Sequence, residues 1–157
     1  SISDMAQWLI AQSEHRPDVL PAPLLATLHT PLVQTPSELR GSGWRRARLG
    51  SAGYALGWRV FDYAGHQVVF HGGAVQGYRT AMAMLPDRDL GIAILWNSES
   101  ALPSGLLPTV LDRALGISGG QWLDEDVLPD ESAPTLYAGK PANGAGADAS
   151  AAQASPF

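Results

Sequence analysis

From Tyr54 onward the apolar residues stop recurring every three or four positions and begin to alternate, and this change of period constrains the fold more than any other feature. Tyr54, Leu56, Trp58 and Val60 alternate with Ala55, Gly57, Arg59 and Phe61, the pattern of a half-buried strand. Ala64-Gly65 turns the chain, and residues 66–71 (HQVVFH) read as the next strand. The stretch GGAVQG (72–77) reads as a glycine-rich loop leading to a strand over residues 78–85. Pro86-Asp87-Arg88-Asp89 has turn chemistry. Residues 90–96 (LGIAILW) form an unbroken apolar run, as expected of a central strand covered on both faces.

The flanks read as helices. Ile2, Met5, Ala6 and Leu9 share one face of a helix over residues 1–13, and Ser1 with Asp4 makes a capping-box pattern at its start. A second short helix fits residues 22–30, with Leu24, Leu25 and Leu28 on one side. Prolines 17, 21, 23, 31 and 36 cut this region into short pieces. Beyond the strands, Leu107, Val110, Leu111, Ala114 and Leu115 form the apolar stripe of a helix that Gly116 is placed to cap. The order predicts an α+β fold, an antiparallel sheet flanked by helices. Four segments follow: a helical part at 1–36, an exposed loop at 37–53, a sheet of three to four strands with a closing helix at 54–116, and a low-complexity tail at 117–157.

Several chemistries are excluded. The 157 residues, 45% of them hydrophobic, suffice for one compact domain. A net charge of −5 without a basic stripe gives no footprint for nucleic acid. The absence of cysteine removes disulfides, thiolate catalysis and cysteine-ligated zinc. No apolar run reaches the length of a membrane span. His66 and His71 lie five apart on a strand and so point to opposite faces, while His15 and His29 have no carboxylate at ligand spacing; no metal or cofactor is expected. The glycine-rich stretch precedes a strand, so it is neither a Walker loop nor a dinucleotide fingerprint. Tryptophans 8, 44, 58, 96 and 122 read as core or cover.

No nucleophile motif is present. There is no Gly-x-Ser-x-Gly elbow, and no Tyr is followed two positions later by Asn. Ser-x-x-Lys is impossible, because Tyr137 stands three residues before Lys140, the only lysine. Ser1 in a helix-capping context does not suit an N-terminal nucleophile. The densest functional signal is His71-Gly72-Gly73-Ala74-Val75-Gln76-Gly77-Tyr78, a strand ending in His with glycines immediately after. Glycines admit a ligand close to the backbone and can aim N–H groups at a developing oxyanion; the alternative is that they only make a hairpin turn.

The run HGGAVQGYRTAMAMLPDRDLGIAILWN (71–97) resembles the stretch of the class C β-lactamase and penicillin-recognising serine hydrolases in which a Lys-Thr-Gly or His-x-Gly triplet lies beside the active site. YALGWRV (54–60) and SISDMAQWL (1–9) resemble two further stretches of that family, and the likeness covers roughly residues 1–116. It implies the carboxy-terminal portion of a β-lactamase/transpeptidase-like fold. His71 would occupy the lysine position of the triplet, Gly72 and Gly73 would complete it, and the Ala74 N–H would be one oxyanion donor. Tyr78 and Asn97 would border the substrate. It further implies acyl-enzyme chemistry on an amide, lactam or ester, with a nucleophile in a missing amino-terminal part, so that this chain alone is inactive. His-x-Gly variants are similar to those of D-aminopeptidases and family VIII esterases; a non-catalytic ligand-binding module on the same fold is the rival. A periplasmic or secreted location goes with the resemblance. Strand 90–97 is expected to pair with another chain, by self-association or with the missing part, or to be covered by the tail.

Overall fold

The computed structural model describes residues 1–100 and 102–123. Six antiparallel strands stand side by side in chain order: β1 (Val33–Gln34), β2 (Leu49–Tyr54), β3 (Arg59–Tyr63), β4 (His66–Val75), β5 (Tyr78–Leu85) and β6 (Leu90–Trp96). Four α-helices accompany them: α1 (Ile2–Ile10), α2 (Ala22–His29), α3 (Gly43–Arg48) and α4 (Leu106–Leu115). Ser1 caps α1 as the sequence predicts, its hydroxyl accepting from the Asp4 N–H while the Asp4 carboxylate takes the Ser1 ammonium. A wider π-type turn at Ala11–His15 extends α1, with Glu14 at φ +66°. Gly116 closes α4 in the left-handed conformation.

Alternation along the strands builds two apolar layers. Phe61, Tyr63, Val68, Phe70, Ala83 and Leu85 face α3 and α4, where they meet Trp44, Leu107 and Leu111. Trp58, Val60, Val69 and Met84 face the amino-terminal helices, where they meet Leu9 and Leu28. The closing helix buries Leu107 and Leu111 but turns Val110 toward solvent, narrowing the stripe that its sequence suggests. Beneath it lies a polar knot. Asp112 accepts from Tyr63 Oη (2.6 Å), from Arg48 Nε (3.0 Å) and Nη2 (3.0 Å), and from Trp122 Nε1 (2.8 Å).

The sheet has six strands where the sequence reading gives three to four, and the structure differs from that reading elsewhere too. Residues 37–53 are not a loop: a 3₁₀ turn at Pro36–Arg40, α3 and β2 occupy them. Their order comes from distant partners, since Trp44 is buried against Phe61 and Tyr63, and the Arg45 guanidinium stacks over Trp44, Phe61 and Phe70. The alternation at Tyr54–Val60 spans two strands and their connection, because Tyr54 ends β2, Ala55 to Trp58 make the turn, and β3 starts at Arg59. Strand β6 is not central within this chain, as β5 is its only strand neighbour among the described residues. Its inner face packs toward α4, while α1 meets the other face and leaves Leu95 45% exposed. Finally, Ile117 and Trp122 pack against the core, so the low-complexity stretch starts later than 117; the rest of that tail, 124–157, lies outside the described residues.

Candidate active site

Strand β4 is longer than the sequence suggests. It continues through Gly72, Gly73 and Ala74 to Val75, so His71 lies inside the strand and the turn shrinks to Gln76-Gly77. Only Gly77 needs a glycine for its backbone, at φ +77°. Gly72 and Gly73 are small for a packing reason. A Cβ on Gly73 would fall 2.7 Å from Thr80 Oγ1, and one on Gly72 3.2 Å from Phe70 Cζ.

Two hairpins fix which backbone groups of β4 are free. Tyr63 pairs with His66 across Ala64-Gly65, and Val75 pairs with Tyr78 across Gln76-Gly77. The pair that closes a two-residue hairpin exchanges both its hydrogen bonds, and the pattern then alternates along the ladder. Counting from the first hairpin, His66, Val68 and Phe70 turn their N–H and C=O toward β3. Counting from the second, Val75, Gly73 and His71 turn theirs toward β5. Both counts leave Gly72 and Ala74 facing the β3 side. There β3 has already ended, because its last partner is Phe70. The N–H groups of Gly72 and Ala74 therefore point out of a free strand edge.

The predicted residues divide between the faces and one end of the sheet. His71 is exposed and directs its ring to the face of α1 and α2, edge-on to Trp58 at 6.4 Å between centroids. It lines a cavity of about 340 Å³ with Trp8, Gln12, Leu28 and Trp58. Ala74, Arg79 and Trp96 form one row across three strands, so Tyr78 and Asn97, both exposed, sit at the same end of the sheet. As the sequence implies, His66 lies away from His71, and its Nδ1 contacts the Asp87 carboxylate. His15 Nε2 meets Asp89 Oδ1 at 2.7 Å. No cluster of metal-ligating side chains occurs among the described residues.

Sequence reasoning missed three contributors. Trp58, read as core or cover, is buried, and it also stands between His71 and His29, whose ring meets it edge-on at 5.9 Å. Burial holds the His29 imidazole below its ordinary pKa. Gln12 is 3% exposed; its Oε1 lies 2.8 Å from His29 Nε2, while its Nε2 has no partner. Glu99 ties the end of the hairpin, accepting from the Gly77 N–H (2.6 Å) and Arg79 Nη2 (2.7 Å). Those two donors hold its carboxyl below the ordinary carboxylate value. Only Glu99, an acidic residue shortly after a strand end, left any local signal.

Comparisons with known proteins bear on the family and the fold rather than on the site residues. The sequence profile of the beta-lactamase family matches residues 1–116, and the chain belongs to that family. Unguisins hydrolase ungD' of Aspergillus campestris (strain IBT 28561) is 27% identical over 111 residues, which cover 71% of this chain and 19% of that protein. The octameric penicillin-binding protein homologue from Pyrococcus abyssi superposes with a TM-score of 0.64 at 24% identity, over 75% of this chain and 25% of that one. That likeness shows the fold alone, a partial β-lactamase-like fold. The chain thus spans about a fifth of the curated relative's length and a quarter of the solved structure's.

Proposed function

We propose that this chain forms the carboxy-terminal wall of a serine hydrolase site that acylates and then deacylates a serine on an amide, lactam or ester substrate. The observation that carries the reading is the outward Ala74 N–H on the unpaired part of β4. A substrate carbonyl lying along that edge would have its oxygen next to a backbone donor already fixed in direction by two hairpins. Such a preorganised donor strengthens its hold as the oxygen becomes anionic, and removing one typically costs about 10²–10³ in rate.

The remaining roles follow from position. A serine hydroxyl, supplied from outside these residues, attacks the carbonyl carbon and gives up its proton to a base. The tetrahedral intermediate then expels the protonated amine or alcohol, and water releases the acyl group by the same steps in reverse order. His71, at the lysine position of the triplet, hydrogen-bonds the leaving group or the serine through its imidazole. Gly72 and Gly73 let the substrate lie flat on the edge, and Tyr78 and Asn97 border its far end. The free edge of β6 accepts a strand from the upstream part of the protein or from a second copy.

The isolated chain should not hydrolyse nitrocefin, D-alanyl amides or p-nitrophenyl esters above buffer. Loss of the nucleophile in a studied serine protease costs about six powers of ten. Co-expression with the upstream coding region should give a serine-dependent burst. Labelling of the isolated chain by a fluorophosphonate would refute the reading. Absence of any burst from the assembled, folded protein would favour a binding module instead.

A further inference from the structure

On the α3/α4 face of the sheet, opposite the one toward which His71 points, a groove of about 500 Å³ runs from α3 to the Gly72–Ala74 segment. Three guanidiniums line it, those of Arg45, Arg59 and Arg79. Arg45 Nη1 donates to Glu38 Oε2, and Arg59 Nε lies 3.5 Å from the other oxygen of the same carboxylate. Arg79 Nη2 donates to Glu99 at 2.7 Å, but its Nε is buried without a hydrogen-bond partner. Among the described residues no other carboxylate pairs with these three arginines, so Glu38 and Glu99 leave one positive charge uncompensated.

The surplus falls on Arg59 and Arg79, whose side chains are 35% and 34% exposed, beside a more deeply buried ion pair. The side chains of Arg45 and Glu38 are only 19% and 16% exposed. Burial pulls the Arg45 pKa down, the Glu38 carboxylate works against that pull, and the neighbouring Arg59 adds to it. A partly buried charge without a partner is costly, and guanidiniums offer paired N–H donors that match a planar carboxylate. The rest of the wall is aromatic: Trp44 and Phe70 are buried, and Trp96 lies alongside.

We infer that this groove binds an organic carboxylate, its charged end against the Arg59 and Arg45 guanidiniums with Arg79 alongside, its apolar body against Trp44, Phe70 and Trp96. A single surplus charge suits a monoanion better than inorganic phosphate, and the aromatic wall rewards a ligand with apolar surface. The inference stands without the hydrolase reading, because it concerns binding to this chain alone.

The test is a ¹H–¹⁵N NMR titration of the 157-residue chain with sodium benzoate, and separately with inorganic phosphate, at an ionic strength held constant with chloride. Benzoate should shift the Arg59 Nε–Hε signal and the Gly72–Ala74 amides saturably, with phosphate binding more weakly. Arg59→Gln and Arg79→Gln should each weaken benzoate about tenfold or more, the weight of one charge-assisted hydrogen bond, while Arg88→Gln on the exposed turn leaves it unchanged. Shifts that never saturate in the wild-type chain overturn the site. So does full affinity in whichever of the two groove variants keeps a dispersed spectrum. Equal affinity for phosphate overturns the organic carboxylate.

Discussion

Replacing Asp112 by asparagine tests whether the polar knot beneath α4 holds the closing helix to the sheet. Asp112 is 5% exposed and accepts from Tyr63, Arg48 and Trp122. In the Asp112→Asn variant only one oxygen remains an acceptor, and the amide nitrogen must face either Arg48 Nη2 and Trp122, which only donate, or Arg48 Nε and Tyr63, where the phenol can accept only by turning its proton to the Pro108 carbonyl. Arg48 also loses its only carboxylate partner among the described residues, keeping a neutral amide oxygen, its stack on Trp122 and a long contact to the Ser118 carbonyl at 3.4 Å. Breaking a buried ion pair by removing one partner costs about 3–5 kcal/mol. The Arg48 side chain is 16% exposed and retains some solvent, so the lower end applies, about 3 kcal/mol. For a folded unit of this size that is a fall of roughly 10 °C in Tm. Urea unfolding followed by tryptophan fluorescence reads it directly. A loss under about 0.5 kcal/mol, the scale of an ordinary surface substitution, would refute the reasoning. Joining Asp112→Leu to Arg48→Met should recover much of the loss, because an apolar pair leaves no charge stranded.

The same knot predicts a pH profile. Burial alone would raise the Asp112 pKa, but hydrogen bonds from Arg48, Tyr63 and Trp122 outweigh it and hold the carboxyl below its ordinary 3.8. Its stabilisation is therefore complete above that ordinary value and is lost as pH falls through the lower, folded one. Burial, with the bond to Asp112, pushes the Tyr63 phenol far above its ordinary 10.0. That contribution is complete below 10.0 and lost as pH rises beyond it. Stability should thus be level in between and fall on both flanks, and Asp112→Asn should flatten the acid flank.

Three further outcomes follow from the hairpins and the edge. Gly73→Ala should destabilise by about 1–3 kcal/mol in thermal unfolding, since its Cβ meets Thr80 Oγ1, and Thr80→Ala should rescue it. Gly77→Val, at φ +77°, should cost about 1–3 kcal/mol and broaden the NMR signals of the β4–β5 turn. The amides of Gly91, Ala93 and Leu95, which the hairpin count turns away from β5, should exchange quickly in the isolated chain and become protected once the upstream part is present.

The hairpins were legible because their signals are local. Ala64-Gly65, Gly77 and Pro86-Asp87 carry turn chemistry within a few residues, and Val68, Phe70, Ala83 and Leu85 keep a strand period on either side. The capping box at Ser1 and Asp4 was legible for the same reason. Residues 37–53 were not, because nothing in their Gly, Ser and Arg content shows that Trp44 will be buried under α4 or that Arg45 will lie over Phe61 and Phe70. Nor does any spacing announce that Gln12, Trp58 and His71 share a cavity, since each belongs to a different element. The edge position of β6 followed from the family resemblance, not from the segment: LGIAILW taken alone reads as a central strand, yet β6 ends the sheet.

What distinguishes the candidate site is that its key direction belongs to turn lengths rather than to the residue that bears the donor. The Ala74 side chain contributes nothing to that direction, and any residue but proline would present the same N–H. It points outward because Ala64-Gly65 and Gln76-Gly77 are both two-residue turns joined by a strand with no bulge, so the counts from either end agree. One residue added to either turn would set the two counts in conflict and force a bulge somewhere along His66–Val75. The shortness of β3 then decides whether that direction has any use. Were β3 to continue past Arg59, its backbone would take up the groups of Gly72 and Ala74, and the edge would become an ordinary ladder. The turn at Ala55 to Trp58 ends β3 opposite Phe70 and sets Trp58 beside His71. The feature that frees the Ala74 N–H is thus also the one that walls the cavity next to it.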